Sequence, residues 1–149
     1  MLSTLIRNRI WFFGIALIVC AGVFLWQMKT ASHALLPKSV ELNGKVFVLE
    51  IAKTQGEREK GLGERDNLCD TCSMLFVFER DDWYAFWMKG MRFPLDIVWL
   101  KDDVVISLEH RIPADSSRVF LPENPVNRVL ELNAGEADSL QRGNRIRFR

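Results

Sequence analysis

The chain has 149 residues, 48% of them hydrophobic and 26% charged, with 20 Lys and Arg against 19 Asp and Glu. Three of the basic residues and none of the acids precede position 33, so residues 33–149 carry 17 minus 19, a formal charge of −2, which removes the electrostatic case for nucleic acid as a partner. That stretch is long enough for one domain with a modest core and too short for two, and no repeat or low-complexity tract divides it.

Residues 1–9 read as a short cytoplasmic tail. Ile10 to Trp26 has no ionisable side chain, and ten of its seventeen residues are Leu, Ile, Phe or Val. At roughly 0.3 to 0.6 kcal/mol each, these favour bilayer insertion by about 3 to 6 kcal/mol. As a helix the run covers roughly 25 Å, a little short of a hydrocarbon core of about 30 Å, so its flanks must contribute. Trp11 and Trp26 suit the interfaces, and Arg7, Arg9 and Lys29 can snorkel outward. The run is apolar all round rather than on one stripe, which argues against a buried core helix.

Residues 10–28 are therefore expected to be a transmembrane anchor with membrane lipid as its partner, and residues 29–38 a polar linker. A cleaved signal peptide competes, with Ser32-His33-Ala34 as a small-x-small site, although the apolar run is longer than the usual seven to fifteen residues. Lipoprotein processing at Cys20 is disfavoured by Val19 before it. The positive-inside bias slightly favours a cytoplasmic N-terminus. The expectation is a single-pass protein of the inner membrane with residues 39–149 in the periplasm.

In that domain, Ser39 to Leu42 and Lys45 to Ala52 flank Asn43-Gly44, a dipeptide suited to a type I′ hairpin because both central residues need positive φ. Thr54 with Glu57 forms a capping box, and Gly63 can close the short helix that follows. Met74 to Phe78, Ala85 to Met88, Leu95 to Leu100 and Val104 to Glu109 read as strands, separated by Asp81-Asp82, Pro94 and Asp102-Asp103. Beyond a loop with three prolines, Arg128 to Leu132 reads as a strand, Asn133 with Glu136 as the start of a second short helix, and Asn144 to Arg149 as a half-buried terminal strand. The expected fold class is α+β, mainly β: a compact antiparallel, barrel-like sheet with two short helices, behind one N-terminal transmembrane helix.

Several blocks together resemble the family called domain of unknown function 192. They are Ala52-Lys53-Thr54, Glu57-Arg58-Glu59-Lys60-Gly61-Leu62, Arg65, Met74-Leu75-Phe76-Val77-Phe78, Phe86-Trp87-Met88-Lys89, Pro94-Leu95-Asp96-Ile97 and Val129-Leu130-Glu131-Leu132-Asn133-Ala134-Gly135. The resemblance covers most of residues 40–149 and implies a compact β-rich domain with short helices, commonly exported in bacteria, with no generally agreed activity. The chain departs from the pattern at Gly90-Met91, where the family usually has Asn-Thr, at Ser73, where it usually has Gly, and at Gly143-Asn144, where Gly-Asp is more familiar.

Two constellations carry chemistry. Cys69 and Cys72 can close a disulfide in an oxidising compartment, a clip contributing about 2 kcal/mol. A redox role would need a lowered thiol pKa, for which a following strand is a poor setting. Zinc takes about four ligands and only His33 and His110 could add to the thiols, so no metal site is expected, nor any cofactor. The second constellation is Phe86 to Lys89 with Phe93 to Asp96. Alternation sets Trp87 and Lys89 on one side, an aromatic wall and a cation beside a concavity, unless the aromatics are simply core. Asp96, between Leu95 and Ile97, needs a partner, which Arg58, Lys89 or a backbone amide could supply. Arg58, Trp87, Lys89 and Asp96 are thus the candidate ligand-binding residues, with proximity of Arg58 to Asp96 the sharpest expectation.

No nucleophile-base set is legible, and His110 is the lone histidine of the domain proper. The favoured reading is a membrane-anchored extracytoplasmic binding or accessory module. A periplasmic acid-base hydrolase, or a thiol redox protein using Cys69 and Cys72, are the alternatives.

Overall fold

The hairpin opens the domain as its sequence requires: β1 (Ser39–Leu42) and β2 (Lys45–Ala52) pair with Leu42 opposite Lys45, and Asn43 and Gly44 take φ of 50° and 78° between them. The computed structural model describes residues 36–149. The expected tail, the anchor at 10–28 and most of the linker lie outside the described residues. Among these, no helix is long and apolar enough to cross a membrane.

Helix α1 (Gln55–Lys60) follows β2. Its capping box is complete: Thr54 Oγ1 accepts from the Glu57 amide at 3.3 Å, and Glu57 Oε2 accepts from the Thr54 and Lys53 amides at 2.8 and 2.9 Å. The helix ends at Gly61 rather than Gly63. Gly61 adopts φ 48°, where a side chain would be strained, and its amide donates to the Glu57 carbonyl.

The remaining strands are β3 (Cys72–Asp82), β4 (Phe86–Trp87), β5 (Leu95–Lys101), β6 (Val104–Ile112), β7 (Val119–Phe120), β8 (Val126–Asn133) and β9 (Arg147–Phe148). Seven strands form one curled, half-barrel sheet in the order β6-β5-β8-β3-β2-β1-β9, and β4 pairs with β7 in a separate ribbon. The fold is mainly β, with two departures from the expected plan. The sheet is not wholly antiparallel, because β2 and β3 run parallel; the crossover between them carries α1, as parallel neighbours require a long connection.

The expected second helix is also missing. Residues 133–140 instead make successive turns closed by i+3 to i hydrogen bonds, such as Glu136 to Asn133 at 3.1 Å and Leu140 to Ala137 at 2.8 Å. Gly135 sits at φ 93°, outside helical space, and the Gly135 and Ala137 amides donate to a side chain of β5.

Side-chain alternation gives the sheet two apolar faces. One packs Met74, Phe76, Leu95, Ile97, Trp99 and Val129 beneath Leu62 and Met88; the other packs Leu75, Val98, Leu100, Leu130 and Leu132 with the β1–β2 hairpin and Ala137. Because both faces are covered, Leu95 to Leu100 is buried throughout and reads as a continuous apolar run interrupted only by Asp96.

Candidate functional site

The first face does not close completely. Between α1, the segment Tyr84 to Lys89 that contains β4, and the middle of β3 lies a cleft of about 200 Å³. Aromatic pairs build its wall: Phe78 stacks on Tyr84 with centroids 3.5 Å apart, Phe76 meets Phe86 edge-on at 4.8 Å, and Phe86 meets Trp99 edge-on at 6.2 Å. Trp99 Nε1 donates to the Tyr84 carbonyl at 3.1 Å, which ties the loop before β4 to the sheet. The ribbon pairs Trp87 with Val119; both remain largely exposed, and Trp87 lines the cleft.

Three cations stand around the opening: Arg58, Lys60 and Lys89. Arg58 is held in place by its donors, which go to the carbonyls of Lys53 and, at 3.2 Å, Val77, while its guanidinium lies 5.0 Å over the Phe78 ring. Among the described residues, no carboxylate forms an ion pair with any of the three. Arg58, Trp87 and Lys89, three of the residues singled out from the sequence, thus line one cleft.

The fourth does not. Asp96 lies on the opposite face of the sheet, paired in register with Leu132, and the expected Arg58–Asp96 proximity is corrected by strand alternation. Its partners are backbone amides: Arg111 at 2.7 Å, Gly135 at 2.9 Å and Ala137 at 2.8 Å. Fully buried, it acts as a clamp between β6 and the turns after β8.

The carboxylate that does line the cleft is Glu131. It is 5% exposed, and its Oε2 has no hydrogen-bond partner among the described residues. Burial pushes its pKa up to about 8, against the opposing pull of Arg65. Arg65 donates instead to Glu50, one bond from each terminal nitrogen at 2.8 Å, and makes no hydrogen bond to Glu131. Those hydrogen bonds, with burial opposing them, leave the Glu50 carboxyl below its ordinary pKa. Glu131 is not among the candidates named from the sequence; its signal there is an acid in step with Val129, on a face of Arg128 to Leu132 that is buried.

Two further groups were weighed from sequence. Cys69 and Cys72 have sulfurs 2.06 Å apart, a disulfide distance, at the entry to β3. Asn133 Nδ2 donates to the Leu68 and Cys69 carbonyls at 3.1 and 3.2 Å and fastens that loop to β8. His110 lies 4.0 Å from Asp96 and 3.8 Å from Asp138 by Nδ1. These three residues offer three donors where a structural zinc takes four, and Asp96 already accepts three amides while Asp138 pairs with Arg111.

The comparisons agree with this architecture. The family DUF192, described as an uncharacterized ACR, matches residues 38–148. A crystal structure of a proposed transcription regulator from Sinorhizobium meliloti superposes with a TM-score of 0.68 at 26% identity, covering 74% of this chain and 90% of that one. A protein of unknown function from Novosphingobium aromaticivorans superposes with a TM-score of 0.67 at 30% identity, covering 78% and 91%. Among curated proteins none matches. By the extent of the family match and the shared fold, this chain belongs to DUF192.

Proposed function

We propose that the protein is a membrane-tethered extracytoplasmic binding module whose cleft holds a small organic molecule. One observation carries the reading: the buried carboxyl of Glu131, whose Oε2 has no hydrogen-bond partner among the described residues, lines an aromatic-walled cavity with three cations that pair with no described carboxylate. Binding sites of this kind combine an apolar lining with a few converging polar groups. A cavity of about 200 Å³ is smaller than the roughly 300 to 1,000 Å³ typical of drug-sized ligands, so the occupant is a single ring or a short chain. The tether is the uncharged run Ile10 to Trp26, and the paired cysteines suit an oxidising compartment. The formal charge of −2 over residues 33–149 gives no basis for extending the Sinorhizobium protein's proposed role in transcription to this chain.

The reading is tested by thermal-shift screening of the full chain in detergent against periplasmic small molecules, since a ligand of the native state raises its stability. A shift that disappears in Trp87→Ala supports it, and silence across the screen sinks it. The tether is tested separately with reporter fusions at the C-terminus; a reporter active only in the cytosol would reject it.

A second reading, a proton-transfer enzyme, is favoured by the position of Glu131, whose pKa near 8 suits an acid-base group at neutral pH. It predicts turnover of the bound molecule that Glu131→Gln abolishes without loss of binding.

A further inference from the structure

The chemistry of the cleft narrows its ligand, and the inference rests on the binding reading above. We infer that the ligand is a small organic acid, with its anionic group among Arg58, Lys60 and Lys89 and an uncharged oxygen at its far end accepting a hydrogen bond from the carboxyl of Glu131.

The rim supplies the first half of this assignment. Three cations meet one nearby acid, Glu59, and that acid already accepts from the Gln55 amide nitrogen at 2.7 Å. The rim therefore presents positive charge to a ligand. Arg58 keeps its guanidinium against Phe78 while donating to two carbonyls, so its position is set before any ligand arrives.

The inner wall supplies the second half. A carboxyl that is 95% shielded from solvent, with an unpartnered oxygen, is costly to ionise and equally costly to leave without a hydrogen bond. Protonated, it has one O–H to donate, and the side chains beside it, Met74 and Ile97 in register and the Arg65 cation, offer no strong acceptor. A ligand carbonyl, ether or hydroxyl oxygen satisfies it. A cationic inner end is disfavoured because it would add to the positive charge of Arg65 beside Glu131 and of the three cations on the rim. Between the two ends, the stacked and edge-on rings favour a flat, apolar body.

The test uses the full chain in detergent and three fluorinated probes that differ in one group: 3-fluoro-4-methoxybenzoate, its benzamide and its benzylamine. Binding is read from broadening of the ¹⁹F resonance at about pH 6.5, where a benzoate is ionised. The benzoate is expected to bind about five- to tenfold more tightly than the benzamide, the return on a partly exposed ion pair with several cations. Lys89→Ala should cost the benzoate roughly two- to fivefold and leave the benzamide unchanged.

At about pH 9.5, above the range in which Glu131 keeps its proton, wild-type affinity should fall, whereas Glu131→Gln, which retains a donor, should bind equally at both pH values. Tightest binding by the benzylamine, or equal binding by all three probes, overturns the organic-acid assignment and leaves the cleft a binding site. A benzoate affinity that ignores both Lys89→Ala and pH overturns it as well. Absence of broadening by every probe removes the assignment together with the binding reading.

Discussion

Asp96 and Glu131 sit one register step apart on neighbouring strands, Asp96 opposite Leu132 and Glu131 opposite Ile97, yet they point to opposite faces of the sheet. Both are buried acids, and their surroundings are opposed. Asp96 receives three backbone amides, which satisfy its buried oxygens; Glu131 receives none among the described residues. The first is thereby structural and the second is available to a ligand.

Stability should depend on pH through Glu131. Its pKa is raised from 4.5 to about 8 on folding, so between those values the native state binds more protons than the unfolded chain, and stability falls as pH rises. The loss amounts to a few kcal/mol across the interval and levels off above about pH 8. Urea unfolding between about pH 5 and 9 measures it, and Glu131→Gln should flatten the profile and be the more stable form at the alkaline end.

Replacing Asp96 should be among the most damaging single changes. Asp96→Ala strips the acceptor from three amides that tie β6 to the turns at residues 133–140, at a cost of about 3 kcal/mol or more. The expected result is a lower urea midpoint with an unchanged slope. Arg58→Ala, by comparison, should leave those three amides protected in hydrogen exchange, because Arg58 stands on the other side of the sheet.

Trp87 and Lys89 should separate binding from stability. Both side chains are exposed, so Trp87→Ala and Lys89→Ala should each alter folding stability by no more than about 0.5 kcal/mol. The thermal shift produced by a ligand should shrink in both. A large loss of stability in the unliganded variants would show instead that these residues hold the β4–β7 ribbon in place.

Joining Cys69 to Cys72 closes a very short loop, so the gain should be modest. The double variant Cys69→Ser, Cys72→Ser is expected to lose about 2 kcal/mol in chemical denaturation, with the cleft intact as judged by ligand response. A redox function would instead show as a reduction potential well above that of inert structural disulfides.

Much of the secondary structure was legible because local rules governed it. Asn43-Gly44 dictates a tight turn through the φ values it tolerates, Thr54 and Glu57 satisfy helix amides within four residues, and β1 and β2 begin and end where their apolar alternation does. The family blocks likewise marked where the sheet lies. Long-range competition governed the rest. Asn133 and Glu136 resemble a helix start, but the amides that would have joined such a helix serve a carboxylate 39 and 41 residues earlier in the chain. Val119 and Phe120 become a strand only because Phe86 and Trp87 lie opposite them.

Trp87 and Lys89 could be chosen from sequence because strand alternation sets an aromatic and a cation on one side of Phe86 to Lys89, whereas Arg58, expected as a partner of Asp96, lines the same cleft without meeting that acid. Whether Asp96 or Glu131 completes their cleft depends on strand parity across β5 and β8, a relation between segments that neither contains alone. The local run of residues therefore names the chemical groups, and the pairing of distant strands assigns each of them to a face.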